Sequence, residues 1–163
     1  MAILLGVYSK VHDPTGEQPY SLFFTGTINL KVWFATAAVA LVLFQGVSAL
    51  RLFGRFSYPK NMPSWYGDAH RLSGTLAFLF TLPVAYHCIW ALGFADADTR
   101  VLVHSLLGLF FYGAFVTKII GVRSHSLPGW FLPVIGGVTF SVIVGLWLTS
   151  SLWFFTSVGF PEI

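Results

Sequence analysis

Two histidines, His87 and His104, sit in apolar runs on either side of a short acidic turn, and two more, His70 and His125, lie farther out along the same runs. If the runs are helices joined as a hairpin, residues at equal depth are equidistant from its apex. His87 and His104 place that apex between Ala95 and Asp96, and His70 and His125 place it between Ala97 and Asp98, both inside the turn. The two positions differ by about 3 Å of helix rise, so the four imidazoles form two opposed pairs. Within a helix the histidines are ~25 Å apart on one side and ~31 Å on the other, which puts one pair toward each membrane surface. Neutral imidazoles facing each other can bind iron from both sides, and filling both axial positions of haem b favours electron transfer over oxygen chemistry. A single intramembrane histidine is explained as readily by interhelical hydrogen bonding, because an unpaired imidazole in lipid is costly.

The surroundings of these histidines bear on the choice. Gly74 and Gly108 each come four residues after a histidine, in HRLSG and HSLLG, and a missing side chain one turn along nearly the same face leaves room for something flat. His125 begins a third such motif, HSLPG, where Pro128 suits an ordinary helix start equally well. Arg71, Lys118 and Arg123 on one side and Arg100 on the other could meet haem propionates, or act simply as positive anchors at the membrane surface. The angles are less favourable: ideal helices would leave His70 and His87 ~100° apart and His104 and His125 ~60° apart, although Pro83 can change the phase. Cys88 points away from its neighbour His87 and reads as packing; His12 reads as a surface residue.

The elements that must position these groups are membrane helices. The chain has 163 residues, 56% hydrophobic and 9% charged, with a mean hydropathy of +0.76, far from the balance of a soluble domain. Four apolar stretches are long enough to span a bilayer: Ile28 to Phe53, Leu72 to Phe94, Val101 to Ile120 and Trp130 to Thr156. Continuous rather than alternating hydrophobicity makes them helices, so the expected fold is all-α, a four-helix transmembrane bundle over residues 28–156. The expected flanks are an N-terminal tail over 1–27, exposed or interfacial, and a short C-terminal tail over 157–163. The first and third loops are basic and the second is acidic, which predicts both termini outside by the positive-inside rule, in the cytoplasmic membrane. The brevity of Ala95 to Thr99 predicts that helices two and three form an antiparallel hairpin, with Asp98 capping the third. A net charge of +3 scattered over loops gives no nucleic-acid footprint, and one cysteine excludes an intramolecular disulfide or a thiolate cluster.

HRLSGTLAFLFTLPVAYHC, with HSLLGLFFYGAFVTKIIGVRSHSLPGW, resembles small four-helix actinobacterial membrane proteins of a domain family of unknown function, often found with Rieske-type proteins. More distantly it is similar to cytochrome b561 and bacterial b-type cytochromes, in which histidines of a four-helix core hold haem b. The resemblance implies ligand roles for His70, His87 and His104, with His125 a weaker match at a loop. The expectation is a membrane b-type cytochrome with two haems rather than one. It would be an electron-transfer subunit rather than a stand-alone enzyme, working across the bilayer or between quinol and a periplasmic redox partner. The competing expectation is a non-redox structural subunit of a larger respiratory complex. A proton-relay transporter is disfavoured because Asp68, Asp96 and Asp98 all lie at loops.

Overall fold

The structure is a computed structural model and describes residues 1–17, 20–57, 60–124 and 126–161. Its elements are α1 (Ala2–Val11), α2 (Thr27–Leu52), α3 (Tyr66–Ala85) running on as a π-helical turn (Tyr86–Ala91), α4 (Thr99–Arg123), α5 (Phe131–Trp147) with a second π-turn (Leu148–Leu152), and a terminal turn α6 (Trp153–Ser157). No strand occurs among the described residues. Four helical stretches, Thr27–Leu52, Tyr66–Ala91, Thr99–Arg123 and Phe131–Ser157, are long and apolar enough to cross a membrane. Most of their apolar side chains point outward, as a bundle solvated by lipid requires. The chain is thus a multi-pass membrane protein of four spans, with boundaries within a few residues of those expected except at the second span, which begins six residues earlier, at Tyr66.

The bundle is built from two close pairs, α2 with α3 and α4 with α5, and α2 also packs on α5. Its core is small: Ala38, Phe111, Val142 and Ile143, with Phe80, Leu107 and Leu146 against them. Between α3 and α4 the backbones stay apart and side chains make the bridge. Phe78 stacks on Phe115 with centroids 4.2 Å apart, and the Tyr112 hydroxyl donates to the Thr81 carbonyl at 3.2 Å. Both pairs are centred midway between Asp96 and Ala97, so α3 and α4 are antiparallel about the acidic turn, as expected. Asp98 caps α4 as expected, its carboxylate accepting from the Val101 amide at 2.8 Å.

The N-terminal tail contains a helix, α1, that packs on the bundle. α1 lies against α4 in antiparallel register, with Ala2 beside Gly113 and Gly6 beside Leu109. Small residues at both contacts let the two backbones approach closely.

Candidate functional site

At the end of the bundle that carries the acidic turn, α3 and α4 separate around a cavity of about 330 Å³, with a second of about 80 Å³ reaching inward beside Phe111 and Tyr112. Val84, Cys88 and Ile89 line both from one side and His104 and Gly108 from the other. The walls are mainly apolar; Lys31, Arg100, His104, Ser105, Thr149 and Ser150 supply the polar groups. Both π-turns border the larger cavity, one through Cys88 and Ile89, the other through Thr149, Ser150 and Ser151. A π-turn carries a surplus residue that bulges the helix and rotates the next residues about its axis, a feature frequent at functional sites. Pro83, which lacks an amide hydrogen and breaks the regular ladder, stands just before the first of them.

Three of the four candidate ligands are described, and His125 lies outside the described residues. His104 Nδ1 is 2.9 Å from the Thr149 hydroxyl oxygen, and that hydroxyl spends its own proton on the Gly145 carbonyl at 2.8 Å. With the hydroxyl proton placed there, the imidazole donates from Nδ1 and keeps its lone pair on Nε2. His70 repeats the arrangement: Nδ1 is 2.6 Å from the Ser48 hydroxyl, which donates to the Phe44 carbonyl at 2.7 Å. In both, a hydroxyl from a neighbouring span fixes the tautomer and ring orientation a metal-binding histidine needs.

His87 is different. It is almost wholly enclosed, 1% exposed, with Nδ1 2.8 Å from the Pro83 carbonyl and Nε2 3.1 Å from the Tyr20 carbonyl. Both partners only accept, so a neutral ring can satisfy one of them and must set its lone pair against the other. His87 is not among the residues lining the cavity; its neighbour Cys88 is, so the residue read as packing faces the space and the residue read as a ligand faces the tail. The structure thus does not bring His87 and His104 together. A haem b would find one histidine here, His104 on the α4 wall, with Lys31 and Arg100 lining the same cavity and Cys88 on the wall opposite. The residues present fit such a group on one side.

The remaining candidates divide. Arg100 belongs to the cavity: it donates to the Thr149 carbonyl at 2.9 Å, lies over the Trp153 ring at 4.0 Å and is 4.0 Å from Asp98. Gly108 opens onto the same space, the nearest atom to a built Cβ being Leu146 Cδ2 at 3.9 Å. Gly74 does not; the Gln45 side chain stands 3.0 Å from its built Cβ and bonds Ser73 at 2.8 Å and the His70 carbonyl. Arg71 pairs with Asp68 on the surface, and Arg123 ends α4, exposed. Sequence reasoning missed Ser48 and Thr149, whose roles arise from cross-helix contacts, and Lys31, in the first turns of α2.

No curated protein and no solved structure matches the chain. Residues 1–162 match the Family of unknown function (DUF6529), and with all but the last residue covered, the chain belongs to that family.

Proposed function

We propose that the protein is a membrane b-type cytochrome subunit whose cavity at the acidic-turn end holds one haem b and passes single electrons. The observation that carries this reading is His104, which lines both cavities and is held by Thr149 in the tautomer that leaves Nε2 free to ligate. The histidine and glycine motifs, similar to those of b-type cytochromes, point the same way. Bound there, the haem would supply one-electron chemistry. The chain's own work is to hold the ring of His104 in place and to neutralise acidic substituents with Arg100 and Lys31. The apolar walls exclude water, and Gly108 keeps the α4 face open. The volume beside His70 is taken up by Gln45, so the reading assigns one haem to the His104 end and none to the His70 end.

If both ends of the molecule are to be joined electrically, a redox partner or a quinol in the bilayer must complete the path, and the protein acts as one subunit of a larger assembly in the cytoplasmic membrane. A Rieske-type protein on the outer side suits a chain with no iron–sulfur motif of its own. The second reading, a non-redox structural subunit, is favoured by His87, whose contacts with two backbone carbonyls are those of a packing histidine. A reduced-minus-oxidised spectrum with pyridine haemochrome quantitation separates the two. One haem b per chain, lost in His104→Ala, supports the cytochrome; no Soret band from cells supplied with haem leaves the structural subunit.

A further inference from the structure

α1 does more than decorate the bundle, because it ends where α3 ends. The final carbonyls of a helix have no partner within it, and at membrane depth water is scarce. Here the N-terminal segment provides the partners: His12 Nε2 lies 2.8 Å from the Trp90 carbonyl, and the Gly16 amide donates to the Ala91 carbonyl at 2.9 Å. In return the Phe94 amide donates to the Ser9 carbonyl at 2.8 Å. Gly93, with φ +71°, makes the turn that allows this; a Cβ there would stand 3.0 Å from the Ser9 carbonyl oxygen. Ser9 and Leu109, the residue on which Gly6 packs, both line the larger cavity. α1 thus lies across the gap between α3 and α4, its small residues inward and Ile3, Leu4, Val7 and Val11 exposed toward lipid.

We infer that residues 2–16 form a strap that closes the cavity on its lipid side, latched through His12 so that it holds in acid and loosens as the pH rises. The latch rests on atom types. His12 Nδ1 is 2.7 Å from the Tyr8 carbonyl and Nε2 faces the Trp90 carbonyl, so both nitrogens meet acceptors and only the doubly protonated ring makes both bonds. These bonds, the Trp90 one foremost, raise the His12 pKa above its ordinary value, with a smaller contribution from Asp13 beside it. The other ionisable groups around the strap are Tyr8, stacked on the His12 ring at 4.3 Å, the Lys10–Asp96 pair at 3.7 Å, and Tyr86, His87 and Cys88 in the π-turn that the strap caps. The strap governs access to the cavity whatever fills it.

Cys88 is the chain's one thiol and lines the cavity, so its alkylation by an uncharged, lipid-soluble maleimide in vesicles reads access directly. Rates for the wild type, His12→Ala and Gly6→Leu are compared at about pH 5.5 and about pH 8.5, either side of an ordinary histidine pKa. Taking ratios to the wild type cancels the thiol's own pH dependence. In acid, His12→Ala should label at least about fivefold faster than the wild type, the ratio falling toward unity in base. Gly6→Leu, whose larger side chain crowds Leu109 Cδ1, 3.2 Å from a built Cβ, should label faster at both. Equal rates for wild type and His12→Ala in acid, or a ratio unchanged with pH, overturn the latch; a Gly6→Leu rate no faster than wild type overturns the strap. As a check on docking, Ala2→Cys with Gly113→Cys in a Cys88→Ser background should crosslink on oxidation, since a Cβ at Gly113 lies 3.0 Å from that of Ala2 and a shift of about half an ångström brings the two to disulfide spacing. No crosslink would also overturn the strap.

Discussion

The two ends of the α3–α4 pair carry the same local motif, a histidine with a glycine four residues on, and make different things of it. At His104 the glycine faces open space, and a hydroxyl from the π-turn after α5 orients the ring. At His70 a hydroxyl from α2 orients the ring in the same way, but Gln45 of the same helix fills the space the glycine leaves. A motif on one helix can vacate volume; what occupies the volume is decided by the helix opposite. Gln45, Ser48, His70 and Ser73 close on one another as a satisfied polar cluster in an apolar bundle, where hydrogen bonding of every member is what makes polar burial tolerable.

The sharpest break in this comparison comes from the histidines. His104→Ala should abolish the haem spectrum altogether, while His70→Ala should leave it intact and cost stability instead; pyridine haemochrome content of the two variants decides. Next in size is Gln45→Leu, which removes the amide that bonds Ser73 and the His70 carbonyl. It should destabilise the protein by about 1–3 kcal/mol, read as a lower midpoint of detergent-dependent unfolding. The glycines sharpen the contrast further. Gly74→Ala meets Gln45 and should cost about 1–3 kcal/mol, whereas Gly108→Ala meets only Leu146 at 3.9 Å and should be tolerated or slightly stabilising.

Smaller effects belong to the tail. A His12 pKa raised in the folded state means stability that is fully present below the unfolded value near ~6.5 and is lost as pH rises through the folded one. Hydrogen exchange of the α1 amides should therefore quicken, beyond its intrinsic pH dependence, as the pH rises above about 6.5, and that increment should vanish in His12→Ala. Smallest of all is Lys10→Ala. It breaks an ion pair with both partners more than half exposed, 63% and 62%, and should change stability by no more than about 0.5 kcal/mol in a thermal melt.

Much of the architecture could be read from the residues, because length and continuous hydrophobicity leave a lipid-embedded chain few options. The spans, the acidic turn and the Asp98 cap are all dictated by local composition. The antiparallel hairpin also holds, Phe78 with Phe115 and Thr81 with Tyr112 being centred one residue beyond the midpoint of His87 and His104. Rotation about the helix axis was not legible. The π-turn at Tyr86–Ala91 changes the helical phase beside His87, and a regular 100° step cannot foresee a surplus residue; Pro83 was the signal that regularity would fail. α1 was hidden for another reason. Its placement depends on Ala2, Gly6 and Ser9, a stripe of small residues whose meaning appears only with Leu109 and Gly113 beside it.

The two π-turns at the same end have a mechanical consequence. They border a void in one half of the bilayer, whereas the opposite half is filled by Gln45 and by tight contacts such as Phe131 against Gly121. Close-packed atoms resist squeezing, whereas a cavity resists it only through what it holds. Whatever occupies the cavity must therefore carry the lateral pressure of the leaflet around His104, a load that Gln45 and its neighbours carry at the His70 end.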